Sequence, residues 1–186
     1  MSDAAPVQTI PAQIDHWTTF RIALDAAVSR IQQPYFQVQR HALEPAWRER
    51  AYCYELYHLL RSQLTDNFPF TLHGEIDKVG HEEITRHFGA RARPNPDFVL
   101  HAPGEHGHDA NFAVIEVKSS VADIVEVKKD LRKLRKFIRH VGYQHGLMLF
   151  FGSQRPPNLS RLGAIEAVWH SQVGAPLIVG RRGRFE

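Results

Sequence analysis

Pro94-Asn95-Pro96-Asp97-Phe98-Val99-Leu100 and Asn111-Phe112-Ala113-Val114-Ile115-Glu116-Val117-Lys118-Ser119-Ser120 are two short apolar runs, rich in β-branched and aromatic residues. The intervening residues, 101–110, are rich in Gly, Pro, His and Asp, the composition of a turn, so the stretch predicts two strands paired as a hairpin. Side chains alternate along a strand, which puts Phe112, Val114, Glu116 and Lys118 on one face and Ala113, Ile115 and Val117 on the other. Glu116 and Lys118 then emerge together at the strand's end. Antiparallel pairing brings Asp97 beside them.

Two carboxylates converging on one spot suit a hard cation. Mg²⁺ prefers carboxylate and water oxygens in octahedral geometry and leaves positions open for a substrate phosphate. Bound metal lowers the pKa of a water and neutralises charge growing on a phosphoryl oxygen. Lys118 would orient or deprotonate that water, or stabilise the charge. The same residues also allow an ordinary hairpin whose end carries a surface ion pair, worth about 0 to 1 kcal/mol.

Pro96-Asp97 followed by Glu116-Val117-Lys118 in a strand-turn-strand resembles the PD-(D/E)XK nuclease superfamily, the restriction-endonuclease-like fold. That resemblance implies Asp97 and Glu116 as metal ligands, the Val117 carbonyl as a further ligand, and Lys118 as the catalytic lysine. It implies Mg²⁺ as the metal, with Mn²⁺ able to substitute. In that family a helix before the sheet commonly supplies a glutamate to the site. A helix is expected here from Pro45, suited to a first turn, to about Leu64. Glu55 is the position carried over, with Glu49, one and a half turns earlier, as the second choice. Glu55 equally fits a place flanking the core, paired with Arg48 or Arg61. Glu75, in a strand expected from Phe70 to Asp77, is either a further acid of the site or an exposed strand residue.

After Lys118, Ser119 and Ser120 read as a cap and Val121 to Val141 as a long helix. Val121, Ile124, Val125, Leu131, Leu134, Ile138 and Val141 give its core stripe, and Lys128, Lys129, Arg132, Lys133, Arg135, Lys136 and Arg139 its other side. The whole chain carries a net charge of +3, yet Lys128–Arg139 holds seven basic residues against one acid, Asp130, so the remainder is negative. This is a local basic face, either solvated or bound to phosphates. Lys128, Lys129, Arg132, Lys133 and Lys136 are the expected nucleic-acid contacts, with Lys129 or Lys133 nearest the scissile phosphate. Arg91 and Arg93, and the tail of Arg181, Arg182 and Arg184, are further candidates for phosphate or for water.

The remaining chain is read by pattern. Residues 1–13 form a flexible lead, and Ile14–Ile31 a helix with Asp15 near its N-cap. His145–Phe151, after a Gly142 stop, is a buried strand; Leu159–Trp169 reads as a helix and Pro176–Gly180 as a last strand. His101, His106, His108 and Asp109 crowd one turn, but their spacing matches no established ligand pattern, so a solvated turn is expected. The result is an α/β fold with a mixed central sheet flanked by helices: an N-terminal extension over 1–44 and an αβββαβ nuclease-like domain over 45–186, the resemblance itself covering 45–151.

With 186 residues, 43% of them hydrophobic, the chain can bury one sizeable core. A single cysteine, Cys53, excludes an internal disulfide, and the absence of an apolar run of about 18 residues excludes a membrane-spanning helix. Residues 1–6 lack the pattern of a signal peptide, and a cytoplasmic location is expected. The resemblance implies a metal-dependent nuclease hydrolysing phosphodiester bonds, DNA before RNA, in restriction, phage defence or repair, as a homodimer or within a larger complex. The alternatives are a nuclease-fold binding or assembly subunit that does not cut, and a protein-interaction domain.

Overall fold

In the computed structural model, which describes residues 15–74, 86–88, 94–105, 107–160 and 162–185, the quoted stretch is an antiparallel hairpin, β4 (Phe98–His101) and β5 (Asn111–Ser119). Ahead of it come α1 (His16–Val28), the short α2 (Gln33–Phe36), a two-strand ribbon β1 (Val38–Arg40) and β2 (Leu43–Ala46), α3 (Glu49–Gln63) and β3 (Thr71–Gly74). After it come α4 (Ile124–Lys136), β6 (His145–Phe151), β7 (Ile165–His170) and β8 (Ile178–Val179). One mixed six-stranded sheet runs in the order β3-β4-β5-β6-β7-β8, with β5, β6 and β7 parallel to one another.

A parallel neighbour cannot be reached by a tight turn, and α4 supplies the crossover from β5 to β6. Both faces of the central strands are consequently covered. On one, Phe20 and Leu24 of α1 and Leu56 and Leu60 of α3 join Leu100, Ile115, Val117, Leu147 and Leu149 in one core. On the other, Val127, Leu131 and Leu134 of α4 meet Val99, Val114, Met148 and Phe150 in a second. This double covering explains why His145–Phe151 reads as an unbroken apolar run.

Several expectations need correcting. Leu159–Trp169 is not a helix; its second half is β7. Leu159, Leu162, Ile165 and Trp169 imitate helical spacing, but Ile165, Ala167 and Trp169 face one core while Val168 faces the other, which is a strand's period of two. Pro45 does not open α3; it lies in β2, and α3 begins at Glu49. The long basic helix is capped by Asp123, whose side chain accepts from the Val125 N–H at 2.6 Å, while Ser119 belongs to β5. Val121 and Val125 are accordingly exposed, and the buried stripe is Val127, Leu131, Leu134, Phe137 and Val141.

Phe112 sides with the α1 core rather than with Val114, because the β4–β5 register shifts between Leu100 and His101. The last turn of the long helix, Phe137–Val141, widens to π geometry and ends at Gly142, which has φ 86°. Gly146 is required where this turn meets β6, since a Cβ there would lie 2.7 Å from Ile138 Cδ1. Asp15 caps α1 as expected, accepting from the Trp17 N–H at 3.1 Å. Among the described residues no helix is long and apolar enough to cross a membrane.

Candidate active site

The β4–β5 register pairs Phe98 with Ile115 and Val99 with Val114, so Asp97, one residue before β4, stands opposite Glu116. A second contact fixes it there: Asp97 Oδ2 accepts from the Val117 N–H at 2.7 Å. Glu116 points toward α4 and is only 2% exposed. Alternation places Lys118 on the same face one step nearer the strand's end.

Two helices close on this spot. From α4, Lys133 reaches Glu116 Oε1 at 2.8 Å and also donates to the Asn95 carbonyl at 3.2 Å. Asp130, one turn earlier and 5% exposed, lies 3.3 Å from the Lys118 ammonium and 3.4 Å from that of Lys133. From the start of α3, Glu49 accepts from Lys118 Nζ at 2.9 Å and, through its other oxygen, from the Ser119 N–H at 3.3 Å. Asp97, Glu116, Glu49 and Asp130 thus surround Lys118 and Lys133: four carboxylates and two ammoniums.

Fully ionised, the group carries a formal charge of −2. Burial raises the pKa of Glu116 well above the usual carboxylate range, the neighbouring Asp97 pushes in the same direction, and Lys133 opposes both without reversing the shift. Burial also raises Asp97, against the Val117 N–H and the two lysines. Burial alone would depress the lysines; instead Glu49 and Asp130 hold Lys118, and Glu116 and Asp130 hold Lys133, above the ordinary lysine value. Both ammoniums are fixed in the charged state, and the two facing carboxylates are only partly compensated by them. No protein-family model matches the chain, and no curated protein matches it.

Asp97 and Glu116 are the residues that could hold a divalent ion. Among the described residues no three His, Cys, Asp or Glu side chains form a ready-made metal cage. Mg²⁺ does not require one, because it retains several waters and is bound through one or two carboxylates. A charge of +2 would offset the site's deficit, and the two acids whose ionisation burial opposes face each other across β4 and β5.

Of the residues singled out in the sequence, Asp97, Glu116, Lys118 and Lys133 come together. Glu55 does not join them; the helix acid at the site is Glu49, and six residues at about 100° each turn Glu55 about 120° away around α3. Lys129, Arg132, Lys133 and Lys136 line a cleft of about 520 Å³ that Lys118 and Asp130 also border. Lys128 lies outside that cleft and lines a separate hollow with Arg135 and Asn158. Lys136 bonds the His87 carbonyl at 2.9 Å. Glu75, Arg91, Arg93 and His106 fall outside the described residues.

His108 bonds the Gly142 carbonyl at 2.9 Å, tying its turn to the helix end. Asp130 is not among the site residues expected from the sequence. Its signal is the lone acid of a basic run, three residues from both Val127 and Lys133 on the inward side of the helix.

Proposed function

We propose that this chain is a metal-dependent nuclease of the PD-(D/E)XK kind, hydrolysing phosphodiester bonds in nucleic acid, with DNA as the expected substrate. The observation that carries the reading is the meeting of Asp97, Glu116 and Lys118 in one buried, electron-rich corner beside a basic cleft. The run α3-β3-β4-β5-α4-β6 also has the αβββαβ order of that superfamily's core.

Asp97 and Glu116, with the Val117 carbonyl, would hold Mg²⁺ or Mn²⁺, which supplies a more acidic water and neutralises charge on the phosphoryl oxygens. Lys118 is assigned a role as a cation. An ammonium held protonated by Glu49 and Asp130 does not accept a proton from water at neutral pH; it stabilises charge developing on the phosphate and orients the attacking water. Glu49, bonded to both Lys118 and the Ser119 N–H, is the residue that positions it. Lys129, Arg132 and Lys136 along the cleft bind backbone phosphates by charge.

The test is cleavage of plasmid, linear and single-stranded DNA, and of RNA, with Mg²⁺ or Mn²⁺. Asp97→Ala should remove activity. Lys118→Ala should lower it about 10²- to 10³-fold, the loss expected on removing one group that stabilises transition-state charge. Cleavage that persists in both variants refutes the assignment.

A second reading, a nucleic-acid-binding or assembly subunit that does not cut, draws support from Lys133. Its ammonium sits 2.8 Å from Glu116, where it supplies part of the missing positive charge without a metal. Calorimetric Mg²⁺ titration separates the two: binding that depends on Asp97 favours the nuclease, and salt-sensitive DNA binding with neither metal binding nor cleavage favours the subunit.

A further inference from the structure

A second cavity, of about 300 Å³, is lined by Tyr54, Tyr57, His73, Gly74, Asp97 and Phe98, none of which lines the basic cleft. We propose that it is a nucleobase site, taking one unstacked base of a single-stranded nucleic acid whose phosphate lies at Asp97. The assignment rests on the phosphodiester reading of the charged corner and extends it to substrate class.

Four observations support it. First, the walls are aromatic. Tyr54 and Tyr57 stand three residues apart on α3, on neighbouring positions of one helix face. The Tyr57 ring is nearly parallel to that of Phe98, at 16° and 6.4 Å between centroids, and its hydroxyl donates to the Leu72 carbonyl at 3.4 Å. Tyr54 is 64% exposed at the rim, a large ring left in water where a stacking partner can reach it. Base-to-aromatic stacking accepts any base, because each presents a π-face.

Second, the cavity is held open by a missing side chain. Gly74 ends β3 directly opposite Phe98. A Cβ there would meet Asp97 O and Tyr57 Cδ2 at 3.7 Å and Phe98 Cδ1 at 3.8 Å, all ordinary contacts. Packing does not demand glycine at this point; its effect is to leave the space between the rings empty.

Third, the volume lies at the lower end of small-ligand pockets, suiting one base rather than a paired step. Fourth, the two hollows differ in charge. Lys118, Lys129, Arg132, Lys133 and Lys136 line the basic cleft, whereas no Lys or Arg among the described residues lines the aromatic cavity that Asp97 borders. A strand crossing Asp97 would leave its phosphates among the cations and turn a base in among the rings. A base stacked within a duplex cannot enter unless it leaves the stack, so the site selects single strands, flaps and frayed ends.

The test uses the whole protein in divalent-free buffer, with oligonucleotides carrying 2-aminopurine at successive positions, single-stranded and as duplexes. Stacking should quench the fluorescence at one position of the bound single strand. Tyr54→Ala should abolish that quenching and weaken single-strand binding about tenfold while leaving the salt dependence unchanged, and Tyr54→Phe should restore both. Gly74→Leu, which fills the cavity, should act like Tyr54→Ala.

Salt-sensitive binding with no position-specific quenching overturns the base site and leaves the nuclease reading standing. The same follows if quenching survives in both Tyr54→Ala and Gly74→Leu. Failure of the wild-type protein to bind any nucleic acid, both in this buffer and with Ca²⁺ in place of Mg²⁺, overturns both.

Discussion

The two faces of the central sheet are built on opposite principles. The face under α1 and α3 is apolar through its centre, and its buried polar pair, Tyr52 and His170, bonds internally at 3.0 Å between the Tyr52 hydroxyl and Nδ1. The face under α4 has an apolar core too, but at its edge it encloses Glu116 and Asp130 at 2% and 5% exposure together with two lysines. Burying charge is costly even when it is paired, and apolar residues of similar volume often do as well or better for stability. The apolar cores of both faces account for the fold, and the charged edge of the second carries a local cost that the proposed function would explain.

The largest loss of stability should come from the first face. Leu60→Ala, at a fully buried position of α3, is expected to cost about 2 to 5 kcal/mol in urea unfolding. Next is the pH response of His170, whose pKa burial pulls down to about 4. The unfolded chain binds this proton near pH 6.5 and the folded chain does not until about 4. Its stabilising contribution is thus complete above 6.5 and is lost as pH falls through about 4, by about 3 kcal/mol. His170→Gln should flatten the unfolding free energy across that window; an unchanged slope would show that the ring is not buried neutral.

The charged face should respond with the opposite sign. Glu116 has a raised pKa, so its contribution is complete below about 4.5 and is lost as pH rises through the folded value. In divalent-free buffer at neutral pH, Glu116→Gln should raise the melting temperature by about 2 to 4 °C, the shift given by about 1 kcal/mol. Mg²⁺ should stabilise the wild type and not the variant; equal stabilisation of both would place the ion elsewhere. Smallest in stability is Lys129→Ala, at an exposed position in the first half of α4: within about 0.5 kcal/mol in unfolding, but with a shallower salt dependence of nucleic-acid affinity.

The difference between the faces also explains what could be read in the sequence. The hairpin, the buried strand after Gly142 and the basic helix announce themselves through period and composition, and the meeting of Asp97 with Glu116 follows from strand alternation together with the antiparallel pairing of the hairpin. β7 was hidden because a strand buried on both sides has no polar face to mark its period, while chance spacing from Leu159 to Trp169 supplied a helical one. The choice of Glu49 over Glu55 depended on where α3 begins and on its rotation against β5, neither of which a single helix specifies. Asp130 and Lys133 come from a separate element, and only the packing of α4 brings them to Glu116 and Lys118.

The bond from the Val117 N–H to Asp97 ties the corner to strand alignment. Side chains alternate, so a slip of one residue between β4 and β5 would turn one carboxylate to the opposite side of the sheet and dismantle the pair. A chain still on the ribosome, or one caught in a misaligned intermediate, would carry every residue of the corner yet hold no competent centre. The corner is therefore assembled last, only once the two strands are aligned.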